Sequence, residues 1–286
     1  MNDYMIMTDG AADIPAEKMD DKNLIVIPMI FKIKDIAYEH YQDFRDMGSD
    51  EFYSGMKRGS LPAPEPIKKE KYIEEFDKVL AKGKDIIYIC LSGGLSESCK
   101  AANEAAEELR GKYPEAKIDV IDSKNISVGE GLLVIEALRI KQAGIVHEGA
   151  VQHLEVIKEK VKTLFFVDDI LHLKRRGLIP KTEPSPVAAL KVRTIYSLDE
   201  GGKVILKTKV RGNQNAIDYV SGVITEGHTD KGLICISHAG APDRGFKLQE
   251  VLSDKCADSE ALVTMLGLIT GTFTGPGTVV VSYYSK

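Results

Sequence analysis

The sequence predicts an α/β protein: a mostly parallel, doubly wound N-terminal sheet followed by a smaller α+β C-terminal domain. Apolar runs alternate with helix-like segments through the first half of the chain. Several of those runs stop in polar punctuation, at Thr8-Asp9-Gly10, Ser92-Gly93-Gly94 and Asp122-Ser123. In the second half a hairpin signal, Asp199-Glu200-Gly201-Gly202, joins two strand-like stretches and implies antiparallel pairing.

Taken in order, Tyr4 to Met7, Leu24 to Pro28, Asp85 to Cys90 and Lys117 to Ile121 are apolar runs short enough for buried strands. Helical patterns are expected around Lys68 to Lys82, Ser98 to Arg110 and Val128 to Gln142, with another near Gly149 to Lys162. There the pattern changes. Strand-like runs at Leu164 to Val167, Thr194 to Ser197 and Val204 to Val210 lead to a helix at about Asn213 to Thr225. A strand at Leu233 to Ile236, a helix near Phe246 to Cys256, and strands at Ala261 to Leu266 and Thr278 to Tyr284 complete the series. The domain change is therefore placed near residue 160, giving an α/β ligand-binding domain, 1–160, and an α+β domain, 161–286. No internal repeat or low-complexity tract is visible.

The segment Leu91-Ser92-Gly93-Gly94-Leu95-Ser96 stands out because it joins an apolar strand to a strong helix. A Gly-rich turn feeding a helix N-terminus offers free N–H groups and the positive end of the helix dipole to an anion. In open α/β sheets ligands sit outside the carboxyl ends of the strands, where the polar strand ends would converge. The alternative is that each end only caps the following helix. For the set together, binding is favoured. Beyond the turn, Leu95, Cys99, Ala102, Ala106 and Leu109 form an apolar stripe, opposite Lys100, Asn103, Glu104, Glu107 and Glu108. Only the first turn of that helix is then free for chemistry.

Composition sets limits. The 286 residues are 43% hydrophobic and 28% charged, as in a soluble globular protein, and suffice for one large or two ordinary domains. A net charge of −5 and the lack of a basic stripe interleaved with aromatics argue against a nucleic-acid face. Lys174-Arg175-Arg176 is the one tight basic cluster. No run approaches the roughly 20 apolar residues of a membrane span. Met1-Asn2-Asp3-Tyr4 does not look like a signal peptide, so a cytoplasmic protein is expected. Cys90, Cys99, Cys235 and Cys256 form no CxxC pair, and the histidines show no metal-ligand spacing, so no metal is expected.

Familiar catalytic signatures are missing. The Gly-rich turn is followed by no Gly-Lys-Ser/Thr, and it has neither GxGxxG nor G-x-S-x-G spacing. Ser92 or Ser96 could serve as a nucleophile only with partners such as His238, and Asp9, Asp13 and Asp122 have generic spacing. No catalytic residue is assigned.

Taken together, these motifs resemble the DegV family of bacterial fatty-acid-binding proteins. Thr8-Asp9-Gly10-Ala11-Ala12-Asp13-Ile14-Pro15 is similar to the family's opening TDSxxDLP, and Ser92-Gly93-Gly94-Leu95-Ser96 to its SSxLSGT turn. Asp122-Ser123 is similar to its next strand end, Leu171 to Ile179 to its LxxLKKGGRI segment, and Gly271 to Gly277 to its closing HTGPG turn. The resemblance runs from residue 3 to the C-terminus in the same order. It implies a two-domain protein that buries one long-chain fatty acid, the second domain closing over the acyl tail. In the characterised branch the carboxylate is presented to a separate kinase, so the binding protein is a carrier and not the catalyst.

The sequence departs from the family at the head-group site. The Thr-bearing TSQPS segment is Ala63-Pro64-Glu65-Pro66-Ile67, the His of HTGPG is Phe273, the Arg of GGRI is Leu178, and the second Ser of SSxLSGT is Gly93. Arg175 and Arg176 lie within reach of the same loop. The resemblance thus assigns the ligand to Ser92, Gly93, Gly94, Leu95, Ser96, Ala63, Phe273, Thr274 and Arg176. The expected function is a fatty-acid carrier without cofactor, expected to be a monomer, with a fatty acid kinase catalytic subunit as candidate partner. The alternatives are a lipid or small-ligand sensor without kinase coupling, and a hydrolase using Ser92 or Ser96 with His238.

Overall fold

The computed structural model describes residues 3–19, 21–185, 191–229 and 231–286. Met1 and Asn2, on which part of the N-terminal reading rests, lie outside the described residues. The first sheet is wholly parallel, in the order β2-β1-β6-β7, from β1 (Tyr4–Asp9), β2 (Leu24–Ile27), β6 (Asp85–Cys90) and β7 (Ile118–Asp122). Its helices are α2 (Lys69–Leu80), α3 (Ser98–Lys112), α4 (Ser127–Gln142) and α5 (His147–Ile157). Helices α2 and α3 pack on each other, as do α4 and α5, and strands β6 and β7 receive helices from both pairs. This is the expected winding.

The second sheet has the order β10-β9-β8-β13-β11-β12. Its strands are β8 (Val161–Val167), β9 (Val192–Leu198), β10 (Val204–Arg211), β11 (Ile234–His238), β12 (Ala261–Met265) and β13 (Val279–Tyr284). Only β11 and β12 pair in parallel; the other neighbours are antiparallel. Helices α7 (Asn213–Gly227) and α8 (Pro242–Lys255) pack on it and on each other. Two short helices, α6 (Leu171–Arg175) and α9 (Leu268–Thr274), touch each other beside its strand ends.

Several elements differ from the sequence expectation. The helix expected to reach Lys162 ends at Ile157 and, after a single 3-10 turn, gives way to β8 at Val161. The helix expected from Phe246 begins at Pro242, whose missing N–H is harmless in a first turn. A small antiparallel sheet, β4-β3-β5, was not expected at all. It comprises β3 (Met29–Ile33), β4 (Ile36–His40) and β5 (Ala63–Glu65), and α1 (Ser49–Lys57) follows β4. The β3–β4 turn places Lys34 at φ 56°, so it carries no Gly or Asn signal.

Helix α4 joins the two large sheets. It contacts β1 and β6 of the first and β8, β11 and β13 of the second, and Ser127 to Val134 are all buried. A segment enclosed on every side must be apolar all round, and in the first half of α4 Val128, Leu132, Leu133 and Val134 meet that demand. Close approach sets its glycines. A Cβ on Gly131 would fall 2.4 Å from the Asp13 carbonyl oxygen, and one on Gly129 would fall 2.5 Å from Thr163 Oγ1.

One fully buried carboxyl interrupts the apolar first half of this helix. Glu130 accepts a 3.1 Å hydrogen bond from Thr8 Oγ1, and leaves Oε2 without a partner among the described residues. Burial above all, reinforced by Asp9, pushes its affinity for a proton well above the ordinary value of 4.5. The folded chain then holds a proton that the unfolded chain releases above pH 4.5, so stability falls as pH rises from there through the raised value. Replacing Glu130 by Gln should keep the shape and remove this penalty. Denaturant unfolding at about pH 5 and about pH 8 should show a smaller loss of stability for Glu130→Gln than for the parent. Equal losses would mean that Glu130 is not the group involved.

Candidate functional site

The three polar strand ends do meet, and they bind one another. Asp9, at the end of β1, accepts hydrogen bonds from the Leu91 N–H at 3.1 Å, the Ala11 N–H at 2.9 Å and the Tyr88 hydroxyl at 3.0 Å. Burial raises its affinity for a proton against the pull of those donors. Asp122, at the end of β7, accepts from the Gly93 N–H at 3.1 Å and the Lys124 N–H at 2.8 Å. The Ser92 N–H donates to the Asn125 carbonyl, and the Gly94 N–H to Ser92 Oγ at 3.1 Å. Leu95 and Ser96 both donate to the Ser92 carbonyl. The expected cradle of free N–H groups is therefore corrected: from Leu91 to Ser96 each N–H already has an acceptor within the chain.

The turn is also covered. Ser92 Oγ donates to the Gly202 carbonyl at 3.0 Å, which seats the β9–β10 hairpin over it. The fit depends on glycine: a Cβ on Gly94 would lie 2.3 Å from the Gly201 carbonyl oxygen, and one on Gly202 would lie 2.1 Å from Ser92 Oγ. Ser96 bonds to Ser98 in the first turn of α3, and Ser98 Oγ accepts the Ile67 N–H at 3.0 Å. Neither Ser92 nor Ser96 hydrogen-bonds to His238, which packs beside Phe246 in the second sheet.

Two cavities adjoin this region, divided by a wall made of α6 and α9. The inner one is apolar and draws on both sheets. Leu91, Leu95 and Ile126 come from the first half, and Phe165, Leu173, Leu178, Val204, Ile269, Thr270, Phe273 and Thr274 from the second. Its interior is about 20 Å³, room for one water. The outer one, about 300 Å³, is lined by Met56, Leu61, Pro62, Ala63, His172, Arg175, Arg176 and Thr272. The wall residues alternate between the two. Leu173, Phe273 and Thr274 face inward, whereas His172 and Thr272 face outward.

The sequence-assigned residues thus fall into three groups. Leu95, Phe273 and Thr274 line the apolar cavity, and Ala63 and Arg176 line the outer pocket. Ser92, Gly93, Gly94 and Ser96 line neither. The positions of the resemblance's missing His and Arg, Phe273 and Leu178, have become apolar cavity wall. His172 and Thr272 were not singled out by sequence reasoning. The signal for His172 was available, since it and Arg176 stand four residues apart and so share one face of a helical turn.

In the outer pocket Arg176 is half-buried and donates from Nη2 to the Pro62 carbonyl. Burial lowers the proton affinity of its guanidinium. Burial likewise holds His172 below its ordinary value, with Asp169 pulling the other way and Arg175 and Arg176 adding to the depression. The pocket therefore offers two permanent cations, Arg175 and Arg176, an imidazole that is neutral at neutral pH, and a hydroxyl. Elsewhere Asp13 forms a buried cluster with Ser127, Ser237 and the Gly267 N–H, and burial pushes its pKa up to about 7. That cluster lies outside both cavities. Among the described residues one group, Cys90, Cys99 and Asp122, brings potential metal ligands within 4.8 Å of one another.

The model of a family described as "Uncharacterised protein, DegV family COG1307" matches residues 3–286. A DegV domain-containing protein from Clostridium perfringens is 26% identical over 285 residues, covering 99% of this chain and 98% of that protein. A solved DegV-family structure from Ruminococcus gnavus, described with vaccenic acid, superimposes with a TM-score of 0.88 at 20% identity, covering 98% of this chain and 99% of that one. The Fatty Acid Kinase (Fak) B3 protein of Streptococcus pneumoniae, loaded with linoleic acid, gives 0.87 at 19% identity, covering 99% and 100%. At these identities the two structures establish a shared fold.

The Ser92 latch can be tested without a ligand. Ser92 is fully buried, so Ser92→Ala strands the Gly202 carbonyl and the Gly94 N–H and should cost about 1–3 kcal/mol. Amide exchange measured by mass spectrometry should quicken across 199–204. Unchanged protection there would show that the hairpin is held by other contacts.

Proposed function

The chain belongs to the DegV family, and from that premise we propose that it binds one long-chain fatty acid and carries it for a separate kinase. The observation that supports this best is the pairing of an apolar cavity with a cationic pocket across one thin wall. The tail would enter the cavity between the two sheets, with residues 161–286 closing over it and 1–160 forming its floor. The carboxylate would lie on the α6–α9 side, where Arg176 offers charge and His172 and Thr272 offer hydrogen bonds. No residue then needs to do chemistry on the lipid, so the protein acts as a carrier. It would work in the cytoplasm as a monomer.

Magnitudes favour the tail as the source of affinity. Burying a methylene contributes roughly 0.8 kcal/mol, so about 14 of them give on the order of 11 kcal/mol before ordering costs. A buried carboxylate without partners would cost several kcal/mol, which is the reason for placing it beside Arg176 and not in the apolar cavity. The cavity's 20 Å³ cannot take an acyl chain as it stands. Entry therefore requires the hairpin bearing Val204 and the segment bearing Leu178 to move outward, against the Ser92–Gly202 bond.

The loss of the family's Thr, His and Arg at Ala63, Phe273 and Leu178 favours a second reading, a lipid sensor that keeps the tail site and has no kinase. Incubating loaded protein with a fatty acid kinase and ATP separates the two, since acyl phosphate forms only if the head group is presented.

Solvent extraction of the purified chain followed by mass spectrometry should release a long-chain acid in near-stoichiometric amount, and a clean chain that also fails to load would exclude both lipid readings. Arg176→Ala should weaken binding about tenfold, or about 1.4 kcal/mol. Ser92→Ala should instead hasten lipid entry without weakening binding. If Ser92→Ala is the more damaging, the head group sits on the turn. Loading should also raise the His172 pKa, readable by NMR, because a carboxylate would then face the imidazole.

A further inference from the structure

Two of the four cysteines, Cys90 and Cys99, come together in the fold although they form no motif in the sequence. Cys90 ends β6, and in the parallel register its direct partner on β7 is Asp122, so the two side chains leave the same face of the sheet. Cys99 lies in the first turn of α3, the helix that packs over β7. The three potential ligand atoms all fall within 4.8 Å of one another. Both cysteines are enclosed, at 0% and 7% exposure.

Each ligand atom has other neighbours: Cys90 Sγ donates to the Ile121 carbonyl at 3.5 Å, and burial raises its affinity for a proton, which a cation must displace. Asp122 uses Oδ1 for the Gly93 and Lys124 N–H groups, which leaves Oδ2 to another partner. Asn103 Nδ2 donates to the Cys99 carbonyl at 2.9 Å and from there also lies 3.9 Å from Cys99 Sγ. No side chain intrudes at Gly93: a Cβ there would fall 2.8 Å from Asp122 Oδ2 and 3.6 Å from the Cys99 Cβ. Gly93 is exposed, so one side of the cluster faces solvent.

The geometry points to a binding site for one divalent cation of zinc-like softness, held by Cys90, Cys99 and Asp122, with water in a fourth position on the Gly93 side. Thiolates select such a cation over Mg²⁺ or Ca²⁺, and a mixed sulfur and carboxylate set suits a tetrahedral ion. On binding, each thiol loses its proton to solvent as its metal–sulfur bond forms, and the carboxylate adds the third bond; no oxidant or reductant is needed. The ligands bracket the segment from Leu91 to Ser98, and Leu91 and Leu95 from that segment line the apolar cavity. The occupied site therefore stiffens one wall of that cavity and slows lipid exchange. This second effect rests on the lipid-binding reading, whereas the metal site does not.

The test uses the full chain, reduced, chelator-stripped and lipid-extracted, and titrates it with Co²⁺. Thiolate-to-cobalt charge-transfer absorption should saturate at one equivalent and vanish when Zn²⁺ is added. Cys99→Ser should weaken both the band and the binding, replacing Cys90 and Cys99 together by Ser should abolish the band, Asp122→Asn should weaken binding at least tenfold, and Cys235→Ser and Cys256→Ser should change nothing. Hydrogen exchange on the unmutated chain needs no variant to fold, and Zn²⁺ should slow exchange within 90–99 and 122–125. A missing band, a band unchanged by Cys99→Ser or surviving the double variant, or protection confined to other segments would overturn the site. Zn²⁺ should also slow lipid release several-fold; unchanged release with the band intact would overturn the coupling alone. A chain that binds the metal and no lipid would sink the fatty-acid reading and leave the site standing.

Discussion

Much of this molecule is arranged around the buried first half of helix α4, from Ser127 to Val134. Helix α4 lies between the parallel sheet and the mixed sheet, and its burial dictates its composition. Glycine is required where the Asp13 backbone and Thr163 press against it, and burial raises the proton affinity of Glu130. The residues leading into α4 carry the same constraint outward. Ser127 begins the helix at φ 52°, an unfavourable conformation for serine, and its hydroxyl is shared between Asp13 and Ser237. Through Asp13 that network also grips the Gly267 N–H at the start of α9, so the wall between the two cavities is positioned from the central helix.

The rim of the parallel sheet illustrates how a binding signature can be satisfied internally. Asp9 and Asp122 stand at strand ends where a ligand would be expected, and their carboxylates hold the Leu91 and Gly93 N–H groups instead. The site described by the cavities is displaced to α6 and α9. At two positions where the family resemblance implies polar head-group contacts, this chain has Leu178 and Phe273, which enlarge the apolar lining. His172 and Arg176, one helical turn apart, supply polar function on the opposite side of the same wall.

Much of the scaffold was legible because burial and periodicity agree there. Strand β6 coincides with the run Asp85 to Cys90, and α3 begins at Ser98 as expected, with Leu95 of the apolar stripe left in the turn before it. The small sheet β4-β3-β5 was not legible: Pro28 looks like the end of a strand and is in fact the single residue between two. Helix α9 was hidden by Gly271 and its threonines, poor helix formers that are overruled by burial against Tyr53. Motif order singled out Leu95, Phe273, Thr274, Ala63 and Arg176, and these residues line the two cavities. The engagement of the turn's N–H groups could not be read from sequence, since their acceptors Asp9 and Asp122 are close only in three dimensions.

The bond between Ser92 and Gly202 joins residues 110 positions apart, and that between Asp13 and Gly267 spans 254. Contacts of such sequence separation form slowly, because a long loop must be ordered before they reward it. A chain made from its N-terminus therefore holds a nearly complete parallel sheet before the strands that should cover the far side of α4 exist. During that interval the helix presents a face of Val, Leu and Ala to solvent, a surface suited to a chaperone or to aggregation. The same double burial that unites the finished fold makes its assembly intermediate the most vulnerable state of the molecule.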